Sequence, residues 1–239
     1  MAMKENQKFD ILLIPGFMCD HRLWDDMVPE LSLFGNVHFG DLSEGETIQE
    51  MAELVLINAP ETFILVGFSM GGYVAREIYK LAPNKVNLLA LLNTSARGSN
   101  DKDRARSKKT INVIKNRMFR GLSATSLKQA FHPNRENDTI IFSRVQAMAA
   151  DLGKDVFMRQ IRLDRECGIL SLRKILCPTL ILTSDNDRLR SIEESHELAR
   201  EIPNARLQLI DKCGHMTPIE KPKHLTEVLL NWIKETGDQ

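Results

Sequence analysis

Phe63-Ile-Leu-Val-Gly-Phe-Ser-Met-Gly-Gly-Tyr-Val-Ala-Arg-Glu-Ile-Tyr-Lys-Leu-Ala82 is the stretch whose reading decides the fold of this chain. Its first four residues are apolar without alternation, as in a strand buried on both faces. Its second half, from Tyr73, carries a helical pattern. Between them stands Gly67-x-Ser69-x-Gly71. A strand that turns at once into a helix forces the corner residue into a strained backbone and exposes its side chain. Residues two before and two after the corner crowd each other, and glycine at both removes the crowding. The pattern alone is weak, but in strand–turn–helix context it is specific. The plainer alternative is a Gly/Ser turn in which Ser69 only caps a helix.

Outward from this point, short apolar runs recur: Ile11 to Ile14, Val86 to Leu92, Thr179 to Thr183, Leu207 to Ile210, and a weaker one at Val37 to Phe39. Helical patterns fall between them at about 24–34, 47–58, 70–82, 192–201 and 223–235, with Pro60, Pro83, Pro203 and Pro222 near their ends. Alternation of this kind predicts an α/β protein: a doubly wound, mostly parallel sheet of about six main strands with helices on both faces. The alternation breaks once. From Arg97 to Arg165 helical patterns follow one another, opened by the linker-like Gly98-Ser99-Asn100. We therefore expect a core of residues 1–96 and 166–239, with a helical cap inserted at 97–165. That insertion holds 16 Lys and Arg against 7 Asp and Glu, although the whole chain has a net charge of zero. The excess reads either as a solvated helical face or as a basic surface for an acidic partner or an anionic substrate.

Bulk properties narrow the classes. A neutral chain gives no electrostatic argument for nucleic acid. No apolar run is long enough to span a bilayer, and the first ten residues lack the apolar segment of a signal peptide. Cys19, Cys167, Cys177 and Cys213 form no Cys-x-x-Cys pair. They read as free core thiols in a cytoplasmic protein, not as a disulfide framework or a zinc site. No metal or cofactor is expected.

A serine hydroxyl needs a base to become a nucleophile, and the base needs an orienting carboxylate. In a parallel sheet such groups gather beyond the carboxyl ends of the strands. After the run ending at Thr183 stand Asp185 and Asp187, and after the run ending at Ile210 stands His215. The order serine, aspartate, histidine is that of one known arrangement of the triad. His21, His38, His132, His196 and His224 lack such placement. The N–H of Met70, at the helix start, is one expected oxyanion donor. The loop Pro15-Gly-Phe-Met-Cys19 supplies the other, with Phe17 the first candidate and Met18 the second.

At these residues the sequence resembles the α/β-hydrolase superfamily, in its serine-nucleophile, esterase-like branch, over nearly the whole chain. Ile14-Pro-Gly-Phe-Met-Cys-Asp-His-Arg-Leu-Trp24 is similar to the family's oxyanion segment, with Pro15 where histidine is usual. Gly67-Phe-Ser-Met-Gly-Gly-Tyr-Val-Ala75 matches the nucleophile elbow. Pro178-Thr-Leu-Ile-Leu-Thr-Ser-Asp-Asn-Asp-Arg188 resembles the stretch carrying the acid, and the alignment implies Asp187 in preference to Asp185. Cys213-Gly-His-Met-Thr-Pro-Ile-Glu-Lys-Pro222 resembles the Gly-His segment. The resemblance also implies a cap after Asn93-Thr-Ser95, a shortened loop at Asp41 to Glu46, and no N-terminal hairpin before the first core strand. Ser69 argues against the branches that use aspartate at the elbow.

The expected activity is hydrolysis of a carboxylic ester, or a related acyl bond, of a small to medium substrate. An acyltransferase or a non-catalytic ligand-binding protein on the same fold is the alternative. Met148, Phe131, Phe142 and Met158 are candidates either to line the pocket or to form ordinary core. The basic insertion, together with a resemblance to pimeloyl-acyl-carrier-protein methyl esterases, suggests an acidic carrier protein as a partner.

Overall fold

A computed structural model describes residues 9–237. In chain order the elements are β1 (Phe9–Ile14), α1 (Val28–Phe34), β2 (Gly35–Phe39), α2 (Ile48–Ile57), β3 (Phe63–Phe68), α3 (Met70–Leu81) and β4 (Val86–Leu92). Three helices follow: α4 (Asp101–Lys115), α5 (Ala124–Ala130) and α6 (Thr139–Arg162). The chain then continues with β5 (Thr179–Ser184), α7 (Ile192–Glu201), β6 (Ala205–Ile210), α8 (Thr217–Glu220) and α9 (Pro222–Gly237). The six strands form one parallel sheet in the order β2-β1-β3-β4-β5-β6. This is the doubly wound sheet expected from the sequence.

The uninterrupted apolar runs now have a cause. Successive side chains on a strand point to opposite faces. Ile11, Leu13, Ile64, Val66, Ala90 and Leu182 join one core layer with α1 and α9. Leu12, Ile14, Leu65, Leu89, Leu91 and Ile181 join the other with α2, α3 and α7. Both faces are covered, so residues of both parities are mainly apolar in the inner strands. The expected helix at 24–34 is instead a short 3-10 turn at His21–Trp24 followed by α1, which starts beside Pro29 because proline suits the first helical turn. In α6 the backbone breaks at Gly153, whose φ is +80°. Cys19 and Cys213 are buried as expected, but Cys167 is exposed and Cys177 half-buried.

Crossovers run one way from β1 to β2 and the other way from β3 onward. The switch point therefore lies between β1 and β3, where an open α/β sheet leaves a crevice at its carboxyl edge. Register puts Ile14 beside Gly67, so the loop after β1 and the corner after β3 leave the sheet side by side. Glycine is needed there for lack of space. A Cβ on Gly71 would lie 2.4 Å from both the Ile14 and Pro15 carbonyl oxygens, and one on Gly67 would lie 2.6 Å from the Gly71 oxygen. Backbone atoms cannot swing aside as a flexible side chain can. Gly71→Ala is accordingly expected to cost about 3 kcal/mol of stability, read as a lower urea midpoint. An unchanged midpoint would show that α3 is not pinned against the end of β1.

Candidate active site

Ser69 has φ +52° and ψ −112°, a conformation that costs a non-glycine residue about 1–3 kcal/mol. Three hydrogen bonds hold it there. Its N–H donates to the Leu92 carbonyl at 2.9 Å, and its carbonyl accepts from the Gly72 N–H at 3.0 Å and from Thr94 Oγ1 at 2.7 Å. The strain is thus maintained by β4 and the first turn of α3.

Three side chains distant in sequence meet at this corner. His215 Nε2 lies 2.8 Å from Ser69 Oγ, and His215 Nδ1 lies 2.7 Å from Asp187 Oδ2. A carboxylate can only accept, so Nδ1 carries the proton in the neutral ring and Nε2 presents its lone pair to the hydroxyl. The Asp187 side chain is fully buried. Burial works against its charge, but His215 and the backbone N–H groups of Arg190 and Leu189 outweigh it and hold the carboxyl below its ordinary range. Asp185 does not reach the histidine, and its Oδ1 accepts from the Cys213 N–H at 3.1 Å. The remaining histidines are elsewhere. His38 pairs with Asp10 across β1 and β2 at 2.7 Å, His132 accepts from the Asn134 N–H, and His21, His196 and His224 are exposed.

The two N–H groups proposed as oxyanion donors stand on either side of the switch point. Among the described residues neither the Phe17 nor the Met70 N–H donates to a protein acceptor. The Met18 N–H, the second candidate, is already engaged: it donates to Gln160 Oε1 at 2.8 Å, while Gln160 Nε2 donates to the Leu42 carbonyl at 2.9 Å. Gln160 thus ties α6 to the loop after β1. Its position within a helical pattern carried no sign of this.

Asn93, Ser184 and Thr217 are further residues that the sequence did not single out. They close a buried ring of hydrogen bonds. Asn93 Nδ2 donates to Ser184 Oγ at 3.0 Å, Thr217 Oγ1 donates to Asn93 Oδ1 at 2.7 Å, and the two hydroxyls lie 2.9 Å apart. With Thr217 giving its proton to Asn93, Ser184 must donate to Thr217. The ring fixes the carboxamide so that Nδ2 also donates to Asp187 Oδ2 at 3.0 Å. Asn93 itself has φ +46°. The loop bearing His215 is held from its other side, because Glu220 accepts from the Gly214 and His132 N–H groups and the His215 N–H donates to the Ala130 carbonyl.

A cavity of about 720 Å³ opens on Ser69 and His215. Phe17, Ile111, Leu122, Leu127, Val145 and Phe157 give it apolar wall. Met148, Phe131, Phe142 and Met158 do not line it. Met148 and Phe131 are fully buried in one core layer, Phe142 stacks on Phe131, and Met158 belongs to a smaller buried cluster with Phe157. The helical pattern of α6 showed which residues were apolar but not which side faced the cavity. Among the described residues no group of three His, Cys, Asp or Glu side chains is placed to hold a metal ion, and no helix is long and apolar enough to cross a membrane.

Residues 11–227 match the model of the alpha/beta hydrolase family, and the chain belongs to that family. Among similar proteins, the pimeloyl-[acyl-carrier protein] methyl ester esterase of Photobacterium profundum is 33% identical over 101 residues, which is 39% of this chain and 40% of that protein. The Pectobacterium atrosepticum protein of the same name is 25% identical over 236 residues, 92% of each chain. Several of the relatives are thus matched over less than half their length. Among solved structures, a thermophilic esterase from Thermogutta terrifontis superimposes with a TM-score of 0.81 at 21% identity, over 97% of this chain and 91% of the other.

Thr217→Val keeps the volume but opens the ring around Asn93. We expect about 2 kcal/mol of lost stability and about a tenfold lower kcat on a model ester, with Thr217→Ser restoring both. A kcat that falls equally in the serine variant would remove the positioning role. Asp187 ionises below its ordinary value of 3.8 in the fold. Its contribution is therefore complete above that value and is lost as the pH falls through the lower, folded-state value. The urea midpoint of Asp187→Asn should depend less steeply on pH below about 4 than that of the unaltered protein.

Proposed function

We propose that this chain is a serine esterase that cleaves a carboxylic ester of a small to medium substrate through an acyl-enzyme on Ser69. The observation that carries the reading is the chain of contacts from Asp187 through His215 to a strained, cavity-facing hydroxyl. As Ser69 Oγ attacks the ester carbonyl, His215 Nε2 takes its proton. Asp187 keeps the imidazole in the required tautomer and stabilises the imidazolium. The Phe17 and Met70 N–H groups receive the developing oxyanion, each worth about 3 kcal/mol in the transition state. The proton on Nε2 passes to the departing alkoxide. Water then enters, loses a proton to His215, and releases the acid from Ser69.

Residues 97–165 act in this reading as a cap over the acyl site, since Ile111, Leu122, Leu127, Val145 and Phe157 from α4–α6 and their linker contribute wall to the cavity. The side of α4 away from the cavity carries Lys102 and Lys109, which are exposed and make no ion pair among the described residues. The names of similar proteins that act on an acyl-carrier-protein ester, together with this basic face, support a second element of the proposal: an acidic carrier protein docks on α4 and presents the ester. Rate enhancement by the carrier should then weaken as salt rises from low to physiological levels.

Ser69→Ala should reduce turnover of p-nitrophenyl esters by roughly six orders of magnitude while leaving the folded protein intact by circular dichroism. A fluorophosphonate should label the unaltered protein at Ser69 and leave the variant unlabelled. Retained esterase activity in the variant would overturn the mechanism. Product analysis with an added alcohol separates hydrolysis from acyl transfer.

A further inference from the structure

Next to the catalytic cavity the structure gathers three guanidinium groups on one aromatic ring. The Cζ atoms of Arg76, Arg165 and Arg190 lie 4.9, 5.4 and 5.9 Å from the centre of the Tyr73 ring. Arg76 comes from α3, Arg165 from the segment after α6, and Arg190 from the loop that also carries Asp187. A ring face attracts a cation, but three cations around one ring repel one another unless acids neutralise them.

The neighbouring acids are already committed. Glu194 meets Arg190 at 3.4 Å with one oxygen and accepts from the Ser191 N–H with the other. Asp103 accepts from the Asn100 N–H to close the capping box of α4. Asp187 is saturated by His215, Asn93 and two backbone N–H groups. Arg76 gives one hydrogen bond to the Ser95 carbonyl, and its buried Nε meets no acceptor. Among the described residues the Arg165 guanidinium forms no ion pair, and burial together with Arg190 disfavours its charge. A buried guanidinium donor is normally satisfied, and an oxyanion between Arg165 and Arg190 would offset the repulsion within this group of cations.

The location gives the anion a purpose. Arg165 and Arg190 line a recess of about 350 Å³ and also the wall of the cavity that opens on Ser69. Along that cavity Arg104, Arg106, Lys108 and Arg162 add positive charge, and Asp103 and Asp164 are its two acids. We propose that Arg165 and Arg190 bind a carboxylate carried on the acyl chain of the substrate, so that the preferred esters are monoesters of dicarboxylic acids. This rests on the esterase reading of Ser69 and not on the carrier element: it names the substrate class for that site among free esters, since an acyl chain joined to a carrier at its far end has no free carboxylate. The planar fork of arginine matches a carboxylate in two parallel hydrogen bonds.

The test compares p-nitrophenyl monoesters of dicarboxylic acids of graded length with p-nitrophenyl esters of unbranched monocarboxylic acids of matching length. At one length the charged ester should be favoured in kcat/KM by about tenfold or more, and Arg165→Gln should bring that ratio close to one. A ratio near one in the unaltered protein, or one untouched by both Arg165→Gln and Arg190→Gln, would overturn the proposal. Calorimetric titration of adipate into the Ser69→Ala protein reads the same site without an arginine variant. Binding of adipate that weakens with added salt supports the assignment. Binding of inorganic phosphate with none of adipate overturns it. Failure of the esterase reading shows differently, as no hydrolysis of charged and neutral esters alike by the unaltered protein.

Discussion

The site depends on one strained backbone. A residue other than glycine at φ +52° would relax if its neighbours allowed it. Here they do not: β4 holds the Ser69 N–H, Thr94 holds its carbonyl, and α3 begins in the next residue, pressed against the end of β1. The packing of the sheet is therefore what keeps the hydroxyl exposed at the switch point. The same packing sets on either side of it the backbone N–H groups of Phe17 and Met70, which donate to no acceptor among the described residues.

A second layer of structure holds the partners of the serine. Asp187 is buried yet ionised, which an apolar pocket would not permit. Its charge is supported by the imidazole, two backbone N–H groups and the Asn93 carboxamide, and that carboxamide is itself locked by Ser184 and Thr217. Buried polar networks of this kind are stable when every member is satisfied. Residues from three strand ends and from the start of α8 close this one.

Charge in the chain is separated in space even though it sums to zero. The positive excess of residues 97–165 divides between the outer surface of α4 and the inner wall of the cavity. Arg22, Arg97, Arg104, Arg144 and Arg159 are tied to acids or backbone oxygens and hold elements together. Arg165 and Arg190 line the cavity beside Tyr73, Arg165 with no ion pair among the described residues and Arg190 with a single 3.4 Å contact to Glu194. Composition gave the count of cations, and only their places distinguish structural ones from those available to a ligand.

Local chemistry determined what the sequence made legible by itself. Unbroken apolar runs are confined to a sheet buried on both faces, glycine spacing marks a corner without room for side chains, and a histidine after the last strand must emerge at the carboxyl edge. From these followed the parallel sheet, the order of its helices, the positions of Ser69 and His215, and the pair Asp185 and Asp187, between which only the family resemblance chose. Tertiary structure alone decided the rest, because it concerns contacts between residues 90 or more positions apart. Asn93 reaches Ser184 across 91 residues and Thr217 across 124, and Gln160 reaches Met18 across 142. The same holds for which face of α6 meets the cavity and which falls into the core. A side chain's type limits which bonds it can form, but its partner is set by where the fold returns the chain.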